Sequence, residues 1–290
     1  MKTWLFISIA IFFVPPLVFG QSFKALNRQV RQGDVLIFRI APQWQGPQTS
    51  LSVFGKHHLP NKYGDVFIGI DKSIVPGKHI VTLVEYGRGV RLSRDYEEVE
   101  VVERIFPVRG RMPDKPRDPI ELEIIRKAYQ SGHGSEKYID TDFVMPLDGA
   151  VIDKDRTIGD IYSPFGGENH RGVDLITFDP RTKKYKRLVK ATNSGRVVLA
   201  TNLSLEGNII IIDHGSGIFS LYMHLSKFNV KRNQFVKTGQ VIGISGKTGR
   251  ATGPHLHFGI RVGDPTDPLK FPVVDPLSFI ETVNKYRDNR

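Results

Sequence analysis

The chain has 290 residues, 40% of them hydrophobic, and no cysteine. This length suits two domains with separate cores, and the lack of cysteine excludes disulfides and a lipid-carrying cysteine. The net charge of +11 predicts attraction to a polyanion.

Residues 1–20 have the pattern of a secretory signal peptide. A positive start at Lys2 precedes an apolar run from Trp4 to Val14, which a pair of prolines ends. The run is too short to cross ~30 Å of hydrocarbon comfortably. We therefore predict cleavage after Gly20 and a mature chain in the periplasm or cell envelope, without stable membrane insertion. An uncleaved membrane anchor is the alternative.

Residues 21–104 show short apolar and β-branched runs separated by glycine and proline turns. This spacing is typical of a small immunoglobulin-like β-sandwich, here predicted to be an accessory domain. The predicted strands are Val35–Ile40, Leu51–Phe54, Val66–Ile70, His79–Glu85 and Glu97–Val102.

Residues 105–142 are richer in proline and charge and predict a linker with one short helix. Asp118 fits an N-cap, Pro119 the first helical position, and Glu121 stands three residues after the cap; together they form a helix-start signature. A sequence of small residues from Ser131 to Gly134 should end the helix. Three apolar residues are predicted to share its buried face: Leu122, Ile125 and Tyr129.

Residues 143–282 again read as strands, punctuated by many glycines, and residues 283–290 read as a tail. The pattern predicts a compact antiparallel sheet. The whole chain is therefore expected to be mainly β. The strands predicted in this half are Gly195–Thr201, Ile209–Asp213, Ile218–Leu225 and Val241–Ser245.

A His-x-His pair is the densest chemical feature of this half. In a strand, His255 and His257 project from one face, while Leu256 and Phe258 project from the other. Two imidazoles at this spacing can reach one metal ion. A chance pair on an exposed strand is the alternative.

His170 and Asp174 stand four residues apart, and Gly172 between them is expected to leave that face open for an ion or substrate. The alternative is an aspartate that simply hydrogen-bonds a surface histidine. Strand alternation also places His224 with Ser220 and Tyr222 on a face away from the core.

Two histidines and one aspartate would make a nitrogen and oxygen ligand set that suits Zn²⁺. Ca²⁺ and Mg²⁺ prefer mostly oxygen. A zinc centre with an open position activates water for amide hydrolysis, and the two remaining histidines could act on protons and the oxyanion. His214, beside a glycine turn, is predicted to cap the turn or line the cleft rather than to bind metal.

Four motifs in this order resemble the M23 (lysostaphin/LytM-type) zinc metallopeptidases. They are His170-x-Gly172-x-Asp174, Asp213-His214-Gly215-x-Gly217 with Tyr222-Met223-His224-Leu225-Ser226, Gly239-Gln240-x-Ile242-Gly243, and Thr248-Gly249-x-x-Thr252-Gly253-Pro254-His255-Leu256-His257-Phe258.

The resemblance implies an antiparallel peptidase sheet and an exported endopeptidase that cleaves peptide cross-links of peptidoglycan. By motif, it implies that His170, Asp174 and His257 bind zinc and that His224 and His255 are catalytic.

Two departures put the substrate preference in question: Gly259 stands where many members have glutamate, and residues 181–190 form a basic insert. The alternative within the family is a binding module that activates another cell-wall hydrolase. A nucleic-acid-binding protein would rest on charge alone, because no recognition helix or aromatic-basic motif is present.

Overall fold

The computed structural model describes residues 21–46, 48–87, 90–106, 117–132, 138–139, 141–153, 170–178, 182–185, 187–263 and 271–287. The predicted signal peptide, His133 and parts of the linker and of the basic insert lie outside these residues. Among the described residues, no helix has the length and apolar character needed to span a bilayer.

The N-terminal region forms two sheets around one core. The first has the order β1-β3-β6 and the second β2-β8-β7-β4-β5, with one parallel pair, β2 and β8. Both contribute to a core that includes Phe38, Ile68, Leu51 and Val99. The strands are β1 (Phe23–Ala25), β2 (Gln29–Arg31), β3 (Val35–Ile40), β4 (Thr49–Val53), β5 (Lys56–His58), β6 (Asp65–Gly69), β7 (Gly77–Gly87) and β8 (Val90–Val102), with a 3-10 turn at Pro42–Trp44.

This arrangement confirms the mainly β character, and β3 has the predicted bounds. The immunoglobulin-like topology stays a prediction. Strands β1, β2 and β5 are three residues long, too short for a period of two to stand out in a sequence.

The C-terminal half forms one large sheet with the central order β15-β12-β13-β14-β17-β10-β9, and the pairings recorded in it are antiparallel as predicted. The strands are β9 (Val151–Ile152), β10 (Val173–Ile176), β11 (Leu188–Lys190), β12 (Gly195–Leu203), β13 (Gly207–Asp213), β14 (Ile218–Phe228), β15 (Phe235–Val236), β16 (Val241–Ser245), β17 (His255–Val262) and β18 (Val273–Val274). Helix α2 (Pro276–Arg287) follows and runs past the boundary predicted at 282.

The two faces of this sheet bury different side chains. One face contributes Tyr222 and Phe258 to the main core. The other contributes Phe219 and Leu221 to a smaller cluster that also contains Tyr129. Because successive strand residues point to opposite faces, His255 and His257 lie on the side of the smaller cluster.

Helix α1 (Pro119–Gln130) begins as predicted, with the Asp118 side chain accepting a hydrogen bond from Ile120 N at 2.8 Å. The Glu121 carboxylate in the first turn accepts hydrogen bonds from Ser204. Leu122 was misplaced, since it is 39% exposed. The side chains that helix α1 buries in the smaller cluster belong to Ile125, Ala128 and Tyr129.

The N-terminal sheets pack against the C-terminal half. Val35 and Phe67 belong to the same core as Val274. An ion pair between Arg104 and Asp275 at 2.6 Å adds a polar contact. The accessory region and the sheet that carries the candidate site are therefore in direct contact.

Candidate metal and catalytic site

Three adjacent strands bring the predicted site residues together. Strand β10 pairs with β17 so that Asp174 lies opposite His257 and Ile176 opposite His255. Strand β14 pairs with the other edge of β17 and places Met223 opposite His257. His170 precedes β10, and His224 follows Met223, so all five predicted residues meet on one face.

Three of them form a tight group of potential metal ligands. Asp174 Oδ1 lies 3.1 Å from His170 Nε2 and 3.0 Å from His257 Nδ1, and the two nitrogens are 2.9 Å apart. The three residues are buried, and their ligand atoms lie within 4.8 Å of one another. Two imidazole nitrogens and one carboxylate oxygen at this spacing fit the three-ligand set of a catalytic zinc.

Gly172 permits this close approach. A Cβ atom there would lie 2.4 Å from the Phe258 carbonyl oxygen and 2.7 Å from His257 Nε2. The expectation that Gly172 leaves an open face was therefore wrong, because strand β17 fills the space and the segment from His170 to Asp174 packs directly on it.

Substituting Gly172 with alanine is expected to force His257 and the β17 backbone apart. We expect a loss of about 1–3 kcal/mol in the free energy of unfolding, typical of overpacking, together with weaker zinc binding. Denaturant unfolding and a zinc competition assay measure the two effects. Gly253→Ala is the matched control, since a Cβ there meets no atom within 4 Å; equal results for the two variants would contradict the packing argument.

Electrostatics favour a charged Asp174 beside a neutral His257. Burial acts to raise the pKa of the Asp174 carboxyl, but hydrogen bonds and electrostatic attraction from the neighbouring imidazoles lower it below its usual range. Burial lowers the pKa of His257 to about 4, against the hydrogen bond to Asp174. A neutral imidazole and an ionised carboxylate are the forms that bind metal.

His224 reaches the site through a β-bulge. Ile210 pairs with Tyr222 and Asn208 with Leu225, so Met223 and His224 together oppose a single residue of β13. The His224 backbone is left-handed, with φ of 62°. The predicted alternation was therefore wrong: Tyr222 lies in the main core, and the extra residue of the bulge turns His224 to the opposite face.

Backbone carbonyls orient the two predicted catalytic histidines. His224 Nδ1 donates to Thr248 O at 2.8 Å, and His255 Nδ1 donates to Gly253 O at 2.9 Å. Because a carbonyl can only accept, each neutral ring carries its proton on Nδ1 and keeps a lone pair on Nε2. The ring centroids are 4.7 Å apart. The sequence could not reveal these acceptors, since any residue type supplies a carbonyl.

The pKa of His224 is lowered to about 3, mainly by burial and also by the charges of His255 and His257. His224 is thus neutral at neutral pH and able to accept a proton at Nε2. A buried neutral base beside a group of potential metal ligands is an arrangement suited to general acid–base chemistry.

The hydrogen bonds recorded for His214 lie outside this group, and its exclusion from the ligand set stays a prediction. His214 is fully buried, donates from Nδ1 to Ser194 O at 2.7 Å, and places Nε2 2.8 Å from Ser220 Oγ. Burial lowers its pKa to about 4, although the hydrogen bond to Ser194 raises it. His214 therefore holds the strand ends together in its neutral form.

This buried histidine should make folding stability depend on pH. Below pH 6.5 the unfolded chain binds a proton at His214 that the folded chain accepts only near pH 4, so stability is lost as pH falls through this window. At about 1.4 kcal/mol per pKa unit the loss approaches about 3 kcal/mol. We expect the stability difference between the wild type and His214→Gln to shrink by this amount between pH 6.5 and 4. Denaturant unfolding at each pH measures the two free energies. If they fell by the same amount between pH 6.5 and 4, His214 would not be the source of the pH dependence.

The antiparallel sheet and the histidine–aspartate group agree with one family of peptidases. Residues 168–268 match peptidase family M23, so the chain contains an M23 peptidase domain, as its motifs predicted.

Curated relatives share this segment. The peptidoglycan DD-endopeptidase ShyB of Vibrio cholerae is 42% identical over 112 residues, which are 38% of this chain and 25% of ShyB. Lysostaphin of Staphylococcus simulans is 36% identical over 127 residues, 42% of this chain and 24% of lysostaphin. The similarity thus spans about a quarter of each relative's length.

A crystal structure from Pseudomonas aeruginosa assigned to peptidase M23 resembles more of the chain. It is 26% identical, with a TM-score of 0.54, and the match covers 86% of this chain and 93% of that one. The similarity therefore extends beyond the residues of the family match into the N-terminal region.

Proposed function

We propose that this protein is an exported zinc metalloendopeptidase that hydrolyses peptide cross-links of peptidoglycan. The observation that supports it most is the convergence of His170, Asp174 and His257 within 4.8 Å, with His224 and His255 beside them. ShyB, a peptidoglycan DD-endopeptidase by name, is 42% identical to this chain over 112 residues.

His170, Asp174 and His257 would hold the zinc ion. Zinc supplies a Lewis acid that polarises the scissile carbonyl and makes water nucleophilic near neutral pH. The buried carboxylate offsets part of the ion's charge, and the two imidazoles leave room for a fourth ligand.

His224 and His255 would move the protons. One imidazole Nε2 accepts a proton from the attacking water as its oxygen bonds to the carbonyl carbon. The proton then passes to the amide nitrogen as the C–N bond breaks, which releases an amine and a carboxylate. The other imidazole, when protonated, would stabilise the negative charge on the carbonyl oxygen. The carbonyls of Thr248 and Gly253 keep both rings in the required orientation.

The same site residues favour the enzyme over an activating module without catalysis. A module needs only a binding surface, whereas here the potential ligands and both orienting hydrogen bonds are present together. The leader pattern of residues 1–20 supports a location in the cell envelope. The net positive charge supports peptidoglycan, an envelope polymer, as the partner.

Purified cell walls of different cross-link type test this function. The zinc-loaded protein should release cleaved cross-links, and mass spectrometry of the new termini should identify the bond. Wild-type protein that binds zinc and cell walls but produces no new termini would favour the activating module.

A further inference from the structure

We propose that Arg117, in the segment before helix α1, is a positioning residue for His224. The proposal rests on the function proposed above, in which His224 handles protons. Its physical basis is a continuous chain of contacts from Arg117 through the turn at residues 204–206 to the backbone and ring of His224.

The His224 backbone needs outside support. Its left-handed φ of 62° is a conformation that non-glycine residues rarely adopt without support from their surroundings. The bulge leaves its N–H outside the β13 ladder, and that N–H donates instead to Glu206 O at 2.9 Å. Glu206 belongs to the three-residue turn between β12 and β13. The position of this turn therefore sets the position of His224.

Arg117 holds the turn by its charge. The Glu206 side chain is 5% exposed and pairs with the Arg117 guanidinium through Oε1, while its Oε2 has no hydrogen-bond partner among the described residues. Without Arg117 this buried carboxylate would have no ion-pair partner in the part of the chain that the structure describes. It would have to turn toward water, and the turn that carries the Glu206 carbonyl would move with it.

Helix α1 fixes the other end of the same turn. Glu121 accepts hydrogen bonds from Ser204 N at 2.7 Å and from Ser204 Oγ at 2.6 Å. Two residues that precede the peptidase sheet in sequence thus hold both ends of a turn within it.

The turn also supports the hydrogen bond to the His224 ring. Leu205 O accepts from Arg250 N at 2.9 Å, and Asn208 N donates to Thr248 Oγ1 at 2.9 Å. Thr248 O in turn accepts from His224 Nδ1. A shift of the turn would therefore displace both the backbone and the ring acceptor of His224. None of these contacts involves His170, Asp174 or His257, so zinc binding should be unaffected.

The test compares Arg117→Gln, Arg117→Lys and Arg126→Gln in the full-length, zinc-loaded protein. Arg126 is the matched control, because it lies on helix α1, just after Arg117 in the chain, and its ion pair is with Glu123 of that helix and not with the turn at residues 204–206. Cross-link hydrolysis, zinc content and the imidazole NMR signals of His224 are measured for each variant. The signals are assigned by their loss in His224→Gln.

Arg117→Gln is expected to shift the His224 signals and to lower kcat about 10- to 100-fold, the scale of an ångström-sized misplacement. KM and zinc content should stay unchanged, Arg117→Lys should restore most of the turnover, and Arg126→Gln should match the wild type. Glu121→Ala keeps the ion pair between Arg117 and Glu206 and should cause a smaller change of the same kind. It replaces Arg117→Gln in the test if that variant does not fold.

Unshifted His224 signals in folded Arg117→Gln, or in Glu121→Ala where that variant replaces it, would overturn the proposal. The NMR signals report the position of the His224 ring whether or not the protein is active. A wild type that cleaves no cross-link would refute the proposed function and not the positioning role of Arg117.

Discussion

The Asp174→Ala variant is expected to bind no stoichiometric zinc and to lose cross-link hydrolysis down to background. Asp174 contributes the only carboxylate of the ligand group found among the described residues, and it lies between the two histidine nitrogens. Removing it leaves two imidazoles and no negative charge to balance the ion. Zinc content by mass spectrometry and release of muropeptides measure the two losses.

Asp148→Ala is the control for this experiment. Asp148 is an exposed aspartate whose carboxylate pairs with Lys190, so its loss removes a charge without touching the ligand group. Full zinc stoichiometry in Asp174→Ala would contradict the ligand assignment.

Replacing His224 or His255 with alanine should give the opposite pattern: zinc retained and turnover reduced by about 10²–10⁴-fold, the usual contribution of a general acid or base. Both rings donate from Nδ1 to a carbonyl. Their Nε2 atoms are the ones left for the site, and that of His255 lies 3.5 Å from Asp174 Oδ2. Zinc content and kcat are measured on the same preparations.

His257→Ala is the informative comparison, because His257 lies on the same strand face as His255. It should lose zinc as well as activity. If His255→Ala lost the metal while His257→Ala kept it, the roles of these two residues would have to be exchanged.

The sequence predicted the His-x-His part of this site because these residues follow strand periodicity. His255 and His257 alternate with Leu256 and Phe258, which the structure buries in the main core. The ordered motifs then indicated the family, and the match over residues 168–268 confirmed it. The assignment of metal-binding and catalytic roles within the site stays a prediction.

What the sequence did not predict depends on contacts between distant segments. The bulge at His224 arises from its pairing with β13 and from Glu206 O, and a period-two pattern carries no sign of it. Glu121 marked a helix start in the sequence, but its two hydrogen bonds from Ser204, more than eighty residues further along the chain, could not be predicted from it. Gly172 likewise looked like an opening, because the strand that packs on it lies more than eighty residues further along the chain.

Removal and return of zinc tests the central claim most directly. Protein stripped with a chelator should hydrolyse no cross-links. Activity should return in proportion to added zinc and level off at one ion per chain, and chelated Asp174→Ala should recover none. Undiminished hydrolysis by the zinc-free wild type would contradict the account.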